Sequence, residues 1–368
     1  RAAWYDGVVL TGFAIADLQP AQIAAGERLE GGLAAFRWRL AERIRHKAGP
    51  RTGGVAAALL TGERFGVSEA DAEALRLSGL GHILAISGLH MALFAGGVYM
   101  AARLVFAAIE PYARAHDPRK PAAIIALLAA TGYLVLSGAA VSTQRAWVMA
   151  VVVLLGVLLD RRAFSMRSLA LAAFIVVVLA PESVVEAGFQ MSFAAVAALI
   201  AVYEVWMKIR PERLSAPGLL DRAVDSLGGL TTTSVVAGAA TGAFAAFHFQ
   251  RMAAYGLVAN LSAMPVFTFW VMPAGASALV PAPLGLDGVA LTVMDAGLRI
   301  VLAIAHWTAG LQGAGVSVVA ANGAVVALYA LGFALGTLGL GLIRLAGGLL
   351  ALGALAIWML QTPPTMMI

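Results

Sequence analysis

The chain has 368 residues, of which 61% are hydrophobic and only 12% are charged, with 25 Lys and Arg against 20 Asp and Glu. Soluble domains average about 45–50% apolar residues and roughly a quarter charged ones, so this composition predicts a polytopic membrane protein. The chain holds no Cys, which excludes disulfide frameworks, thiolate catalysis and Cys-ligated zinc or iron–sulfur sites. Its 40 Gly residues are typical of transmembrane helices that approach one another closely.

Residues 1–78 are predicted not to cross the membrane. Within them, residues 31–48 have the pattern of a basic amphipathic helix with an apolar stripe of Leu33, Phe36, Leu40 and Ile44. Two interpretations remain open: the helix lies on lipid headgroups, or it packs on the protein and leaves its basic face in water. Ser68 is suited to cap a short helix over 69–78.

Ten apolar stretches follow, and about 20 apolar residues suffice for a helix to cross a bilayer. They cover residues 80–109, 121–137, 143–159, 168–180, 184–206, 230–248, 254–280, 288–310, 323–343 and 346–361. The seventh contains Pro265 and Pro273 and is predicted to be broken or re-entrant, which requires protein or water partners for the freed backbone. The predicted fold class is an all-α polytopic transmembrane bundle over 79–361, with a tail over 362–368.

The charges of the loops predict the orientation of the chain. Several Lys and Arg occur in each of the loops 110–120, 160–167 and 207–229, and Arg344 follows the ninth span. No Lys or Arg occurs in the loops 138–142, 181–183 and 311–322. With ten spans the two sets alternate if the basic loops are cytoplasmic. Residues 1–78 and the C-terminus are then extracytoplasmic, and Arg251, in a short outer loop, is the exception.

Three polar side chains stand at the start of the first span: His82, Ser87 and His90. Polar groups at membrane depth are costly and usually face a partner or a wet cavity. On a continuous helix His82 and His90 would be about 12 Å apart, too far to hold one metal ion without help, and no metal site is expected. Three interpretations stay open: hydrogen bonds between helices, a wet pathway, and catalysis by Ser87.

Arg145 lies near the start of the span 143–159, just after Ser142 and Thr143. The N-terminus of a helix presents free amide groups with partial positive charge, so an Arg placed there predicts an anion site, with phosphate as the commonest ligand. The alternative is an Arg that reaches to the lipid headgroups.

Further polar groups occur within the apolar spans: Gln190, Ser192 and Asn260. Gln190 and Ser192 are two residues apart and point to different sides of a helix, and Asn260 is suited to satisfy carbonyls freed by a break at Pro265. The chain has no Gly-x-x-x-x-Gly-Lys-Ser/Thr, so it hydrolyses no nucleotide through a phosphate-binding loop. No cofactor is expected.

Two stretches, Leu60-Thr61-Gly62-Glu63-Arg64 and the run from Gly79 to His90, resemble the signature of the ComEC family of competence proteins. Further matches follow in order: Arg145-Ala146 with Met149, Pro181, Gly188-Phe189-Gln190-Met191-Ser192-Phe193, and Asn260 with Pro265. The resemblance covers about residues 55–345.

This resemblance implies a channel in the cell inner membrane through which one strand of transforming DNA reaches the cytoplasm, without enzymatic activity in this chain. It implies as partners single-stranded DNA, an external DNA receptor and a cytoplasmic helicase-like ATPase. The candidate lining residues are His82, Ser87, His90, Arg145, Gln190, Ser192 and Asn260, and the candidate phosphate contacts outside the membrane are Arg39, Arg43 and Lys47.

Family members also carry an OB-like domain before the bundle, and residues 1–18 are interpreted as its tail. The chain begins at Arg1 without Met, so we expect a natural N-terminus upstream. The family's metallo-β-lactamase-like domain has no counterpart here, because the chain contains no His-x-His-x-Asp-His. Three other hypotheses remain: a secondary transporter using the span 254–280, an intramembrane hydrolase using Ser87, and a scaffold with no channel of its own.

Overall fold

The computed structural model describes residues 25–209, 219–279, 281–282 and 285–361. The predicted OB-like tail over 1–18, the tail 362–368 and part of the basic loop 207–229 lie outside this range. In chain order the helices are α1 (Ala25–Lys47), α2 (Gly53–Thr61), α3 (Glu69–Leu77), α4 (Gly88–Ala108), α5 (Glu110–Ala115), α6 (Arg119–Leu136), α7 (Val141–Leu158), α8 (Met166–Leu179), α9 (Ala187–Ile209), α10 (Leu219–Phe249), α11 (Gly256–Val266), α12 (Met272–Leu279), α13 (Gly288–Ala309), α14 (Gly323–Leu338) and α15 (Leu342–Met359).

Shorter elements complete the described chain. Two 3₁₀ turns cover Gly81–Ile83 and Pro181–Val185, and a π-helical turn covers Phe267–Val271. The strands β1 (Arg251–Ala253) and β2 (Gly315–Ser317) pair antiparallel, with Met252 opposite Val316. This small ribbon joins the loop after α10 to the loop after α13.

The predicted fold class is confirmed. Seven stretches of the described helices are long and apolar enough to cross a membrane: Gly88–Ala108, Arg119–Leu136, Val141–Leu158, Ala187–Lys208, Gly256–Leu279, Gly288–Ala309 and Leu342–Met359. Two shorter apolar helices, α8 and α14, coincide with predicted spans, and α10 contains the predicted span 230–248. Most boundaries fall within a few residues of the predicted ones, because apolar length is a local property of the sequence.

The predicted start of the first span, at residue 80, is wrong. Helix α4 begins only at Gly88, after a 3₁₀ turn at Gly81–Ile83 and an extended Ser87 with φ −115° and ψ 176°. The apolar run is continuous, but Ser87 acts as the N-terminal cap of α4 and so sets where the helix begins. His82 therefore does not share a helix with His90, and the separation predicted for a continuous helix does not apply.

Of the two alternatives predicted for the span 254–280, broken or re-entrant, the break at the prolines is wrong. The chain stays helical from Gly256 to Leu279, and the turn after Pro265 is π-helical, with the Met272 amide donating to the Phe267 carbonyl. Proline removes one amide donor from a helix, and a π turn re-forms the ladder one residue later. The helices α11 and α12 therefore form one rod.

At one end of the membrane bundle, α4, α7 and α9 begin and α6, α8 and α10 finish. This end is called here the layer-facing end, after the six-helix layer that is defined in the next paragraph. Short links of four residues (137–140) and seven residues (180–186) join α6 to α7 and α8 to α9 there. Phe94 of α4 stacks on Tyr133 of α6 at 4.6 Å between ring centroids. His248 of α10 contacts Gln190 of α9 with 2.9 Å between Nε2 and Oε1.

The largest hydrophobic core joins α1, α2 and α3 to α11, α12 and α13, together called here the six-helix layer. Every residue of α2 is buried. The largest side chains that are fully buried in this core are Ile44, Leu59, Leu60, Leu75, Leu80, Ile83, Phe267, Leu291, Met294, Leu298 and Leu302. Smaller separate cores hold the membrane bundle together.

Helix α1 begins at Ala25, earlier than the predicted residue 31, and packs on the protein through Leu40 and Ile44. The rest of the predicted stripe, Leu33 and Phe36, remains exposed. The packed half of α1 therefore follows the second of the two sequence interpretations.

The buried Asp287, which precedes α13, anchors α1. Its Oδ1 accepts from Lys47 Nζ at 2.7 Å and from Arg43 Nη2 at 3.0 Å. Burial raises the pKa of Asp287, but the hydrogen bond from Lys47 and the charges of Arg43 and Lys47 outweigh burial and leave the pKa below its ordinary value. Asp287 is therefore a carboxylate that needs both cations.

Replacing Gly54 of α2 with Ala should destabilise the fold, because a Cβ atom there would collide with the Gly66 carbonyl. Overpacking of a tight core costs about 1–3 kcal/mol, so the melting temperature in detergent should fall by several degrees. The control is Gly97→Ala in α4, where a Cβ atom meets no neighbour within 4 Å. Equal melting temperatures for the two variants would contradict this packing.

Candidate functional site

Ser87 and His90 form a closed pair at the first turn of α4. His90 Nδ1 lies 3.0 Å from the Ser87 amide nitrogen, which donates to it, and 2.9 Å from Ser87 Oγ. Because Nδ1 accepts the amide proton, the other ring nitrogen, Nε2, carries the proton of the neutral imidazole. The sequence placed the two residues on one face; their contact is a helix cap.

The imidazole of His90 is fully buried between α4 and the α11–α12 rod. Its ring meets Phe267 edge to face, with 5.2 Å between centroids, and Nε2 has no hydrogen-bond partner within the described chain. A buried donor without a partner costs about 1–3 kcal/mol. In this conformation the His90 side chain is not accessible to solvent. Its role in lining a channel stays a prediction.

His82 lies on the 3₁₀ turn that precedes α4. It is exposed, and its Nδ1 is 3.2 Å from the Gly79 carbonyl oxygen. Across the described residues no group of three or more His, Asp and Glu side chains is placed to hold a metal ion.

Arg145 is the most buried cation among the predicted site residues. It lies in the first turn and a half of α7, with 6% of its surface exposed. Its Nη1 is 3.5 Å from Glu186 Oε2, and its Nη2 lies against the backbone of Gly188. The guanidinium therefore sits between the start of α7 and the start of α9, and glycine at 188 leaves the space for it.

The hydrogen-bonding capacity of this site is only partly used. Arg145 Nε and the buried Ser183 Oγ, in the turn before α9, have no partner within the described residues. Glu186 is 3.5 Å away and half-exposed, so it neutralises Arg145 incompletely. The helices α7 and α9 also begin here, and their first amides add partial positive charge. The arrangement is suited to bind an anion.

Gln190 joins the same end of the bundle to α10. It donates from Nε2 to the Val184 carbonyl at 3.1 Å, and its Oε1 lies 2.9 Å from His248 Nε2. The sequence singled out Gln190 but did not pair it with His248, which is 58 residues away. A histidine at the end of an apolar span was the available signal.

The remaining predicted residues bond within the protein. Ser192 Oγ donates to the Phe189 carbonyl, and Asn260 Nδ2 donates to the Gly256 carbonyl at 2.8 Å. Asn260 thus satisfies its own first turn, and the expected role at a break near Pro265 is wrong because the rod is not broken.

The predicted phosphate contacts on α1 are not equivalent. Arg43 and Lys47 are paired with Asp287, whereas among the described residues Arg39 contacts only the Ala35 carbonyl of its own helix. Arg39 is therefore the member of this set whose charge is most available to a ligand.

These observations define a polytopic membrane protein with a buried cation where two of its spans begin. A family model described as "Competence protein" matches residues 59–343. The chain belongs to this family, the ComEC competence proteins, as its motifs predicted.

Among curated proteins, ComE operon protein 3 of Bacillus subtilis (strain 168) is 30% identical over 225 residues, which is 61% of this chain. The match covers 26% of that protein, so the chain spans about a quarter of this relative. No solved structure matches the chain.

The contact between Arg145 and Gly188 can be tested by a double-mutant cycle. Gly188→Ala should destabilise the protein because a Cβ atom would collide with the guanidinium, and overpacking costs about 1–3 kcal/mol. In an Arg145→Ala background the same change should cost much less, because the colliding group is gone. Unfolding in detergent measures both.

Gly242→Ala, where a Cβ atom meets no neighbour within 4 Å, is the control and should cost little in either background. If Gly188→Ala is equally damaging with and without Arg145, the close approach of the two residues is not what limits position 188.

Proposed function

We propose that this chain forms a membrane channel that passes single-stranded DNA into the cytoplasm during natural competence. The observation that carries the proposal is the buried, incompletely paired Arg145 where α7 and α9 begin. Membership of the competence protein family supports it.

The chemistry of the site fits a phosphate that binds and leaves. A channel needs sites that attract the permeating ion weakly enough to release it. Glu186 at 3.5 Å already offsets part of the Arg145 charge. An arriving phosphate would displace the half-exposed Glu186 carboxylate from Arg145. When the phosphate leaves, Glu186 would pair with Arg145 again.

The charge distribution supports an orientation in which the layer-facing end is extracytoplasmic. The opposite end carries exposed cations, including Arg114, Arg119, Lys120, Arg161 and Arg162. Basic residues are enriched in cytoplasmic loops. Arg145 would then contact the DNA strand near the extracytoplasmic side of the bundle. The cations at the cytoplasmic end would contact the strand as it leaves the channel for the cytoplasm.

Two aromatic side chains near Arg145, Phe189 and Phe193, pack in a core between α7, α8 and α9 and would offer surfaces for bases once exposed. Phe189 and Phe193 lie on the same helix as Gly188, with 4.4 Å between their ring centroids. Stacking on aromatic rings is tolerant of base sequence, which suits uptake of DNA without sequence preference. We propose that these two rings accompany the phosphate site.

We propose that partners supply what this chain lacks: an external receptor that delivers DNA and a cytoplasmic helicase-like ATPase that pulls the strand. The missing phosphate-binding loop supports an energy source on another protein. Both His90 and Arg145 are buried, so the proposal requires that delivery of DNA expose them.

The Ser87–His90 contact is proposed to be structural. Nucleophilic catalysis requires a base that is itself oriented by a third group, and His90 Nε2 has no partner in the described part of the chain. Its Nδ1 is already used by the backbone of Ser87. We propose that the pair caps α4 and does not act on a substrate.

Replacing Arg145 with Gln should lower transformation by external DNA by about 10-fold or more, because a hydrogen bond to a charged group contributes about 1.5–3 kcal/mol. Arg145→Lys should recover part of the loss, since it keeps the charge but not the planar fork. Transformation frequency is scored at equal membrane levels of each variant.

The matched control is Arg103→Gln, which removes an exposed arginine on α4 and should leave transformation unchanged. Uptake of labelled single strands into vesicles containing the purified protein separates transport from later steps. Wild-type transformation and uptake by Arg145→Gln would overturn the assignment of the phosphate site.

A further inference from the structure

The α11–α12 rod begins at the layer-facing end of the bundle. It follows α10, which ends there, after only the strand β1. A Cβ atom placed on Gly79 would lie 3.1 Å from the Cα of Gly256, the first residue of the rod. Gly79 itself lies shortly before α4 begins at this end. The start of the rod is therefore fixed beside the beginning of α4.

The rod also ends at the layer-facing end. Leu279, its last residue, packs on a cluster that contains Ile86 and Tyr133, which lie just before α4 and in the last turn of α6. Gly275 packs on Leu60, and the neighbouring Leu59 carbonyl accepts from the Tyr133 hydroxyl at 2.8 Å. A helix that crossed the bilayer from this end would finish about 30 Å away.

Helix α1 gives an independent measure of the same distance. Arg37 Nε donates to the Leu136 carbonyl at the end of α6 at 3.0 Å. Arg43 Nη1, six residues later, donates to the Ala282 carbonyl in the loop after the rod at 2.7 Å. Six helical residues span about 9 Å, so even with two extended side chains the loop lies less than a bilayer thickness from the end of α6.

Helix α13 returns along the same layer. It starts beside α1, through Asp287 with Arg43 and Lys47, and it finishes beside α3, where His306 Nε2 lies 2.7 Å from Asp71 Oδ1. The strand β2 that follows pairs with β1. Both ends of α13 thus meet elements of the layer, and its buried face is covered by protein rather than lipid.

The charge of the loop between the rod and α13 agrees with this placement. A ten-span topology would put residues 281–287 on the side of the basic loops, yet they contain no Lys or Arg and one Asp. Removing two crossings leaves every other loop on the side that its charge predicts, because an even number of spans is lost.

We propose that α11, α12 and α13 do not cross the bilayer but form a hairpin that lies across the layer-facing end of the bundle. Only α4, α6, α7, α8, α9, α10, α14 and α15 would then span the membrane. The hairpin is apolar because one face packs on α1, α2 and α3. Outside this packed face the hairpin exposes the apolar side chains of Phe269, Val289 and Trp307, and Trp is enriched at the lipid interface.

These 368 residues contain no Cys, which allows a direct topology test with single-Cys variants in intact cells. The test position is Leu286→Cys, in the exposed part of the loop before α13. Gln312→Cys marks the layer-facing end, and Arg161→Cys marks the opposite end. A membrane-impermeant maleimide is applied before and after the membrane is opened.

Leu286→Cys should be labelled under the same conditions as Gln312→Cys and opposite to Arg161→Cys, whichever side of the cell the layer faces. If Leu286→Cys is unreactive even in detergent, the exposed Val289 at the start of α13 is used in its place. Labelling that follows Arg161→Cys would overturn the proposal. The result does not depend on whether the channel conducts DNA.

Discussion

A polar group that leaves water must find a partner, and in this molecule that constraint decides where helices begin, which faces meet and where a ligand can bind. The Ser87 amide donates to His90 Nδ1 and so starts α4. Asp287 draws Arg43 and Lys47 and so fixes α1. These groups are paired within the protein and hold the architecture together.

Arg145 departs from this pattern, which is why it carries the functional argument. It is nearly as buried as the structural groups, but its charge faces a half-exposed carboxylate at 3.5 Å, whereas Asp287 has two cations within 3.0 Å. A buried cation with an exchangeable partner is costly for stability alone. The cost is understandable where a polyanion has to bind briefly and then move on.

Hydropathy predicted the membrane bundle well because each span is a local property of its own residues. It overestimated the first span, where the single cap at Ser87 outweighs an apolar run that begins at Leu80. It also treated Pro265 as a break, although a π turn keeps the helix intact. In both places local hydrogen bonds decide the outcome, and a hydropathy average does not register them.

The sequence singles out individual polar residues but not their contacts. The sequence identified Arg145 and Gln190, whereas their partners Glu186 and His248 lie 41 and 58 positions away along the chain. The six-helix layer was missed for the same reason: α1, α2 and α3 reach α11, α12 and α13 across about 200 residues of bundle. Contacts of this range depend on the packed fold.

The central claim is that a DNA strand passes beside Arg145, and photo-cross-linking during uptake tests it most directly. A photoreactive amino acid replaces Phe189, which is next to Gly188, or as a control the exposed Phe174 on α8. Illumination while labelled DNA enters the cell should attach the strand at position 189 and not at 174. An absence of attachment at 189, or equal attachment at both positions, would contradict the account.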